Sequence, residues 1–447
     1  MVAPVNKARP AIRFACFPVA LFAVLLLLPS TTRASFDPSS YRSFEGKRVV
    51  GIAFTGNNTT RDFFIRREIE LAGGDTLSVE KLAAGVRKLE NYGIFGSIDI
   101  VVEDRGDGIL LEYQFREMPS YVPYLAFQYT EADGFSIGPA VSAVNLFGRA
   151  IRASGSALFG GTTTFELMLK YPWITADYRL GLDLGASHLV RDDDLNGFEE
   201  SSDEVTPWVT RYLGEEGRVR GMVGFFHMKA DRDGVTLSPD RSDWFFRAGA
   251  AIGYDTRDSW RDPRGGWQNE LELLWNLGDG IFATTTIDIR RFQRVTKKQT
   301  LFVGVLTSLQ PGEVGEDIPA YFQYYIGGAN SVRGQDVDLG KTLFGKNQLI
   351  TTLEYQLELL PLKPYHFFRW SAAVGLQLAL FTDVGVAWSA PDEFAADRTK
   401  AGFGTGLRLL VPGADMIRFD VGFNRQGDVH FHFGGGFKWT AQRSRLR

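Results

Sequence analysis

Cysteine is almost absent from this sequence. The single cysteine, Cys16, lies in an apolar segment near the N-terminus, so we predict no disulfide in the rest of the chain. Histidine is also scarce, with five in 447 residues, and His430 and His432 offer two imidazoles without a third metal ligand. Neither a P-loop nor an HExxH motif occurs. We therefore predict no catalytic residue, no metal site and no cofactor, and we do not expect an enzyme.

A surplus of positive charge is missing as well. Lysine and arginine number 49 against 53 aspartate and glutamate, which gives a formal net charge of −4, whereas a nucleic-acid-binding protein needs a basic surface. After the N-terminal segment, no apolar run reaches the roughly 18 residues that a membrane-spanning helix requires. The mean hydropathy of −0.11 fits a soluble protein, but alternating membrane strands average to a similar value. We expect no nucleic-acid partner, and passage through a membrane would have to use strands.

The first 34 residues have the three parts of a signal peptide. Three basic residues occur among the first 13, residues 14–28 are apolar, and small residues up to Ala34 offer a cleavage site. A membrane anchor is the alternative, but the apolar run is shorter than a spanning helix needs. We predict that residues 1–34 are a signal peptide and that the protein is exported.

Residues 46–118 are predicted to form a small α+β domain. The apolar spacing and turn residues give the order β-α-α-β-β. A generic α+β domain is the plain interpretation of this order. The predicted elements are strand 47–54, helix 61–71 with Thr60 as its cap, a second helix after Ser78, and strands 97–103 and 109–116.

From residue 120 to 439, apolar and polar residues alternate and no amphipathic helix is convincing. In one segment Trp267, Leu271 and Trp275 alternate with Glu270 and Glu272. Aromatic residues on one face and ionisable residues on the other are typical of a transmembrane barrel with lipid outside and a polar lumen. A soluble β-sandwich with its apolar face inward is the alternative.

We predict a transmembrane β-barrel of about 16 antiparallel strands over residues 120–439. The long connections 188–203, 228–242, 309–345 and 389–399 share one end, and the short turns 172–176, 293–298 and 411–415 share the other. Such barrels have short periplasmic turns and long outer loops, so this parity supports the count. The predicted strand centres are residues 125, 140, 155, 167, 181, 208, 222, 249, 270, 287, 303, 352, 380, 406, 419 and 434.

Two sets of motifs resemble a known family. The first segment resembles a POTRA domain, a periplasmic module, at Gly56, Asn57, Thr60, Gly73, Gly74, Asp75, Leu89, Gly93 and Phe95. The strand array resembles the barrel of the BamA/TamA-type outer-membrane assembly superfamily, also called the bacterial surface antigen family. Each motif alone is weak, but five in the right order are specific. They are NLFGR at 145–149, DTRD at 255–258 with PRG at 263–265, GG at 327–328 with SVRG at 331–334, FTDVG at 381–385, and GTGLR at 404–408 with Pro412 and Gly413.

In that family, the arginine of the sixth extracellular loop folds into the lumen and pairs with the aspartate of a late strand. The matching residues are Arg333 and Asp383, and the neighbouring loop glycines Gly327, Gly328 and Gly334 belong to the same motif. A charge-assisted, partly dehydrated hydrogen bond can offset the entropy that a long loop loses when it is pinned. The pair is either a structural anchor or a part of the transport machinery. Family loops commonly have an aromatic residue after VRG; here it is Gln335, so the contacts of the tip are expected to differ.

The last predicted strand resembles the β-signal by which outer-membrane barrels are recognised for insertion. Polar His432 and Gly434 are followed by two spaced hydrophobic residues, Phe437 and Trp439. Eight more residues, 440–447, form a basic tail with three arginines. This tail departs from a strictly terminal signal.

Glycine is expected to weaken the same strand. Gly434, Gly435 and Gly436 are consecutive, and glycine has no side chain to pack in a sheet. We expect this strand to close the barrel against residues 121–128. A weak seam there is what a lateral gate into the bilayer needs; the alternative is that the glycines only allow close packing at the closure.

The resemblance implies a factor that inserts or translocates proteins at the outer membrane of a Gram-negative cell, with its POTRA-like domain in the periplasm. The implied partners are outer-membrane lipid, unfolded outer-membrane or secreted client proteins, and periplasmic accessory proteins. We nominate strand 97–103 as the sheet edge to which a client segment adds. Two alternatives stay open: a two-partner-type secretion pore, which generally carries two POTRA domains and a plug helix, and a porin-like structural barrel.

Overall fold

The computed structural model describes residues 36–130, 133–175, 179–193, 197–337, 342–367, 370–411 and 414–435. The predicted signal peptide and the basic tail therefore lie outside the described residues. The chain forms a small N-terminal domain and a sixteen-stranded sheet that curves into a nearly closed barrel. Among the described residues, no helix has both the length and the apolar character to cross a membrane.

The N-terminal domain has the predicted β-α-α-β-β order. In its sheet, β3 (Ile109–Glu117) lies in the middle, parallel to β1 (Val49–Thr55) and antiparallel to β2 (Phe95–Asp104). Residues 97–103 therefore lie in an edge strand. The two helices are α1 (Asp62–Glu68) and α2 (Val79–Asn91).

A single apolar core holds this domain together. Phe64 and Ile65 of α1 and Leu82 of α2 are completely buried against the sheet. Burial of such side chains contributes about 1.5–3 kcal/mol each. The other core residues include Val49, Leu77, Val86, Leu89, Ile109, Leu111 and Tyr113.

One of the two predicted N-terminal helix caps is present in the structure and the other is not. Ser78 caps α2 as predicted, because its side chain accepts a hydrogen bond from the Lys81 backbone N–H at 3.4 Å. The predicted cap of α1 is wrong: α1 begins after Arg61, which makes no side-chain cap bond, and it ends at Glu68. Thr60 is used elsewhere, at the junction with the barrel described below.

Sixteen antiparallel strands form the barrel, and each predicted strand centre falls within one of them. The predicted number of strands and their antiparallel arrangement are therefore confirmed. The strands are β4 (Tyr121–Thr130), β5 (Gly134–Leu146), β6 (Ile151–Gly160), β7 (Thr162–Thr175), β8 (Leu180–Asp193), β9 (Phe198–Leu213), β10 (Gly217–Ala230), β11 (Ser242–Asp255), β12 (Gly266–Gly278), β13 (Ile281–Thr296), β14 (Gln299–Leu309), β17 (Asn347–Phe367), β18 (Trp370–Trp388), β19 (Lys400–Val411), β20 (Ala414–Asn424) and β21 (Val429–Gly435). The short strands β15 (Tyr324–Ile326) and β16 (Leu343–Gly345) pair with each other outside this sheet.

The two faces of the sheet carry opposite residue types. In β12, Trp267, Leu271 and Trp275 are 39–46% exposed, whereas Glu270 is 5% exposed. In β17, Gln348 and its inward neighbours are buried while the outward leucines are not. Polar groups inside and apolar groups outside rule out the β-sandwich alternative, whose core would be apolar.

The connections alternate between two ends, here called the domain-side end, where β4 begins, and the far end. Three long connections lie at the far end, as predicted, at 231–241, 310–346 and 389–399, whereas one long turn, 256–265, lies at the domain-side end. The predicted long loop 188–203 is wrong, because β8 and β9 continue through it as a hairpin as far as Asp193 and Phe198. The predicted turn 172–176 is also misplaced, since β7 runs to Thr175.

Candidate functional site

Loop six, residues 310–346, joins β14 to β17 at the far end and folds back into the barrel. At its tip, Gly327, Gly328 and Gly334 have φ values of +147°, +81° and +85°, a region that glycine adopts without steric cost. Backbone bonds close the turn, from Ser331 N–H to Gly328 O at 3.2 Å and from Gly328 N–H to Gln335 O at 3.1 Å. The conformation of the tip thus explains why glycine occupies all three positions.

The structure brings Arg333 and Asp383 together. Nε of Arg333 donates to Oδ2 of Asp383 at 2.8 Å, and Nη2 donates to Oδ1 at 3.0 Å. The backbone N–H of Arg333 also donates to Oδ2, at 3.1 Å. Both side chains are 0% exposed, and the Arg333 guanidinium lies 3.6 Å from the centre of the Phe381 ring. The loop-tip arginine is therefore held by a bidentate, dehydrated ion pair on β18.

Arg333 also contacts two further acids that the sequence did not point to. Its Nη1 lies 2.8 Å from Glu354 of β17 and 3.4 Å from Asp420 of β20. Arg408 of β19 bonds to the same two acids, at 2.7 Å and 2.6 Å. The five side chains form one buried network across four neighbouring strands, which we call the loop-six anchor.

Two glycines in the wall make room for the loop tip. A Cβ atom on Gly402 would lie 1.8 Å from the carbonyl oxygen of Arg333, and one on Gly422 would lie 2.4 Å from the backbone N of Gly334. The Cβ atom of any other residue at these positions would displace the loop tip from the barrel wall. The repeated glycine at 402, 404 and 406 was visible in the sequence, but nothing there showed what approaches it.

The tip reaches the last strand of the sheet. The backbone N–H of Gly334 donates to Nε2 of His432 on β21 at 2.8 Å. Gln335 donates through Nε2 to the carbonyl of Ala401 at 2.7 Å. Arg418 of β20 donates to the carbonyl of Ala329 at 3.1 Å. Loop six is therefore bonded to every strand from β17 to β21.

A second contact holds the first part of loop six against other strands of the barrel, and no sequence motif pointed to it. The ring of Phe322 lies 5.2–5.9 Å from the rings of Phe226, Phe245 and Phe282 on β10, β11 and β13. Tyr321 donates its hydroxyl to Asp243 at 2.8 Å. We call these five aromatic residues the aromatic anchor. The only signal in the sequence was a cluster of aromatic residues within a predicted loop.

A buried cation lies beneath the aromatic anchor. The guanidinium of Arg247 is 4.3 Å from the centre of the Phe226 ring and bonds to Glu204 at 3.0 Å. Cation–π attraction is strongest when the cation is dehydrated, and Arg247 is 0% exposed. Loop six is thus held by ion pairs with strands β17, β18 and β20 and by aromatic packing on strands β10, β11 and β13.

The two ends of the sheet, β4 and β21, face each other as a seam. Their strands are adjacent, and the rings of Phe127 and Phe433 lie 5.0 Å apart. Within the described residues, however, no hydrogen-bonded ladder joins the two strands. Gly434 and Gly435 lie in β21, whereas Gly436, Phe437 and Trp439 fall outside the described residues. The seam predicted near residues 121–128 is therefore a pair of neighbouring strand edges.

The NLFGR motif joins the barrel to the N-terminal domain. Asn145 donates through Nδ2 to the hydroxyl of Thr60 at 2.8 Å, and that hydroxyl bonds in turn to Glu117. The backbone N–H of Arg61 donates to the carbonyl of Gly148 at 3.0 Å. Thr60 therefore forms hydrogen bonds at the junction between the N-terminal domain and the barrel instead of capping a helix.

One serine motif carries no chemistry. Residues 134–138 read GFSIG, which fits the pattern of a nucleophile elbow. Ser136, however, lies inside β5, is 1% exposed and accepts a hydrogen bond from the Thr162 N–H at 2.8 Å. A nucleophile elbow needs a sharp strand-to-helix turn, and this strand continues.

Two family models match this chain. The Omp85 superfamily domain matches residues 145–439, and the POTRA model, described as a surface antigen variable number repeat, matches residues 48–118. The outer membrane protein assembly factor BamA of Nitratidesulfovibrio vulgaris is 25% identical over 411 residues, which cover 85% of this chain and 50% of that protein. The BamA of Neorickettsia risticii is 31% identical over 108 residues, 24% of this chain and 14% of that protein. This chain thus spans at most about half the length of these relatives.

Solved structures share the fold. BamA from Haemophilus ducreyi lacking POTRA domains 1–3 superposes with a TM-score of 0.57 at 15% identity, covering 86% of this chain and 83% of that one. CdiB from Escherichia coli gives a TM-score of 0.57 at 13% identity, covering 88% and 75%. With its motifs, its sixteen strands and the match over most of its length, this chain belongs to the Omp85 superfamily.

Proposed function

We propose that this protein inserts or translocates client polypeptides at the outer membrane, with the edges of β4 and β21 as the place where a client strand pairs. The observation that carries the proposal is the seam: two strand edges that lie side by side without a ladder between them in the described residues. A strand edge without a ladder offers backbone N–H and C=O groups that an extended segment can bind. No nucleotide, metal or catalytic residue is needed for such pairing.

The proposed orientation of the protein in the membrane rests on the lengths of the connections at the two barrel ends. Apart from the turn 256–265, the domain-side connections are short, and short turns face the periplasm in outer-membrane barrels. The N-terminal domain then lies in the periplasm, and loop six enters from the cell exterior. Clients in the periplasm would first meet the edge strand β2, at residues 97–103.

Loop six supports the seam from the lumen in this proposal. Its anchor binds β17, β18, β19 and β20, and the Gly334–His432 bond extends it to β21. Strand β21 at the seam is therefore held in position from the lumen, while its outer edge lies beside β4. The partners that this requires are outer-membrane lipid, unfolded outer-membrane or secreted clients, and periplasmic accessory proteins that deliver them.

Reconstitution tests the proposed function. The purified full chain would be placed in lipid vesicles, and a urea-denatured outer-membrane barrel would be added as client. We expect the client to acquire protease resistance faster than in vesicles without the protein. Equal rates with and without the protein would overturn the proposal. A secretion pore would instead conduct ions and pass an extended client into the vesicle interior, where it stays unfolded.

A cellular measurement complements the reconstitution. In a strain depleted of the protein, we expect the amounts of folded outer-membrane proteins to fall before the amounts of outer-membrane lipids change. A porin-like structural barrel would change permeability alone and leave the other barrels at their normal level.

A further inference from the structure

The longest domain-side connection in the described part of the chain is the turn between β11 and β12, residues 256–265. The Asp258 carboxylate closes it internally by accepting hydrogen bonds from the backbone N–H groups of Arg264, at 2.8 Å, and Gly265, at 3.1 Å. We call this turn the strut.

One side of the strut contacts the N-terminal domain. The backbone N–H of Trp260 donates to Oδ1 of Asn91, the last residue of α2, at 3.2 Å. The Trp260 ring packs edge-on against Tyr92, with ring centres 5.9 Å apart. Tyr92 in turn donates its hydroxyl to Glu68 at the end of α1, at 3.1 Å. The strut therefore meets both helices of the domain, one directly and one through Tyr92.

The other side of the strut contacts a distant part of the barrel wall. Arg264 bonds to Glu358 of β17 at 2.6 Å, and both side chains are 12–15% exposed. Asp262 accepts a hydrogen bond from Nε2 of Gln377 on β18 at 2.6 Å. Arg261 donates to the carbonyl of Val411 on β19 at 3.2 Å. Because β13 and β14 separate β12 from β17 in the sheet, the strut crosses the mouth of the barrel.

The strands that receive the strut are those that hold the loop-six anchor. Glu358 lies four residues from Glu354 on β17, and Gln377 lies six residues from Asp383 on β18. Even spacings place these pairs on the same face of their strands. On β19, Val411 is three residues from Arg408. The same short wall segment is bonded at one end to the strut and at the other to Arg333.

We propose that Trp260, Asp262 and Arg264 are positioning residues that couple the N-terminal domain to the loop-six anchor and, through His432, to the seam. A movement of α2 shifts the strut, and the strut shifts Glu358 and Gln377. The resulting movement of β17–β19 changes the distances between Arg333 and its partners in the loop-six anchor. By linkage, release of loop six changes how tightly the domain is held. This inference goes beyond the proposed function, because the coupling is measurable without a client.

Amide hydrogen exchange on the full chain in lipid nanodiscs tests the coupling. Arg264→Gln removes the ion pair with Glu358, and we expect exchange in residues 327–335 to rise about fivefold or more, the lower end of the usual range of coupling between sites. Trp260→Ala, at the domain contact, should raise exchange in the same residues. Arg264→Lys, which keeps a positive charge near Glu358, should retain most of the protection.

The chain offers a matched control. Arg294→Gln removes an arginine–aspartate bond of 2.8 Å to the same turn, at Asp258, without touching β17–β19, and it should leave residues 327–335 at the wild-type rate. Unchanged exchange in strands β5–β9 verifies that each variant is folded.

Two results would overturn the coupling. The first is amide exchange in Arg264→Gln that rises only within residues 256–265. The second is that the effects of Trp260→Ala and Arg264→Gln on exchange in residues 327–335 add independently in the double variant. Failure of client insertion in reconstitution would leave this readout unaffected, so the two proposals fail separately.

Discussion

The guanidinium of Arg333 and the carboxylate of Asp383 make two parallel hydrogen bonds, at 2.8 and 3.0 Å, and the backbone of Arg333 adds a third at 3.1 Å. One carboxylate thus fixes both the side chain and the main chain of the loop tip. Because both residues are completely buried, removal of either would leave a buried charge without its main partner.

Loss of one partner of this pair is expected to release the loop tip. Arg333→Ala or Asp383→Asn should destabilise the folded tip by about 3–5 kcal/mol, the usual cost of breaking a buried ion pair. Protease cleavage within loop six measures the release, and heat-modifiable migration of the barrel controls for folding. A loop that stays as resistant as in the wild type would contradict this prediction.

Exchanging the charges of Arg333 and Asp383 is not expected to restore the folded loop tip. Taken alone, the pair suggests that Arg333→Asp with Asp383→Arg would restore the contact. The structure places Glu354 and Asp420 within 3.4 Å of the Arg333 guanidinium, so an aspartate there would meet two further acids. We predict that the double variant remains protease-sensitive, and that Arg333→Lys is less sensitive than Arg333→Ala.

The aromatic anchor is predicted to act separately from the loop-six anchor. Phe322→Ala should destabilise the first part of loop six by about 3–5 kcal/mol, the usual cost of truncating a buried phenylalanine to alanine. Tyr321→Phe should cost less, about 1.5–3 kcal/mol, because it removes only the bond to Asp243. Hydrogen exchange should rise in residues 316–323 while the tip at 327–335 stays protected. Simultaneous release of both segments would show that the two anchors are one unit.

The glycines of β21 give contrasting variants. A Cβ atom on Gly435 would enter open space, whereas one on Gly434 would lie 2.6 Å from Nη2 of Arg418. Gly435→Val should therefore fold normally and stiffen the strand, since β-branched residues favour strands by up to about 1 kcal/mol. If a weak seam is used, client insertion slows in Gly435→Val. An insertion rate equal to the wild type would favour the alternative that glycine only permits close packing.

Glu68 gives the N-terminal domain a predicted pH dependence. Burial raises the pKa of Glu68 above its ordinary value of 4.5, although Arg67 and the Tyr92 hydroxyl partly oppose the shift. A raised carboxyl pKa favours the folded state at low pH, and this contribution is lost as the pH rises from 4.5 through the folded-state pKa. Pulse proteolysis in urea should show that Glu68→Gln weakens the fall in domain stability between pH 4.5 and 7. Glu70→Gln, at an exposed ion pair with Lys88, should leave the fall in place.

Sequence patterns predicted the strands because alternation is a local property. The face of each strand follows from a period of two, so the alternation alone places Glu270 inside the barrel and Trp275 outside it. Loop boundaries were less accurate at 188–203, where β8 and β9 extend as a polar hairpin. A hairpin that leaves the apolar zone keeps its hydrogen bonds but loses the alternation that identifies it.

The contacts across the lumen could not be predicted in this way. Alternation places Glu354 on the inner face of β17, and Arg264 lies in the turn before β12. Neither fact shows that Glu354 contacts Arg333 or that Arg264 contacts Glu358. Those pairings depend on the curvature of the sheet and on where loop six and the strut enter it. Only the Arg333–Asp383 pair was accessible from the sequence, through a family resemblance.

A disulfide across the seam tests the central proposal most directly. Phe127→Cys with Phe433→Cys would join β4 to β21 at the pair of rings that lie 5.0 Å apart, in a chain whose only native cysteine is Cys16. Val303→Cys with Leu353→Cys, at register partners in the continuous ladder of β14 and β17, is the matched control. We predict that oxidation stops client insertion in the seam variant alone and that a reductant restores it. Full insertion with the seam disulfide formed would contradict the account.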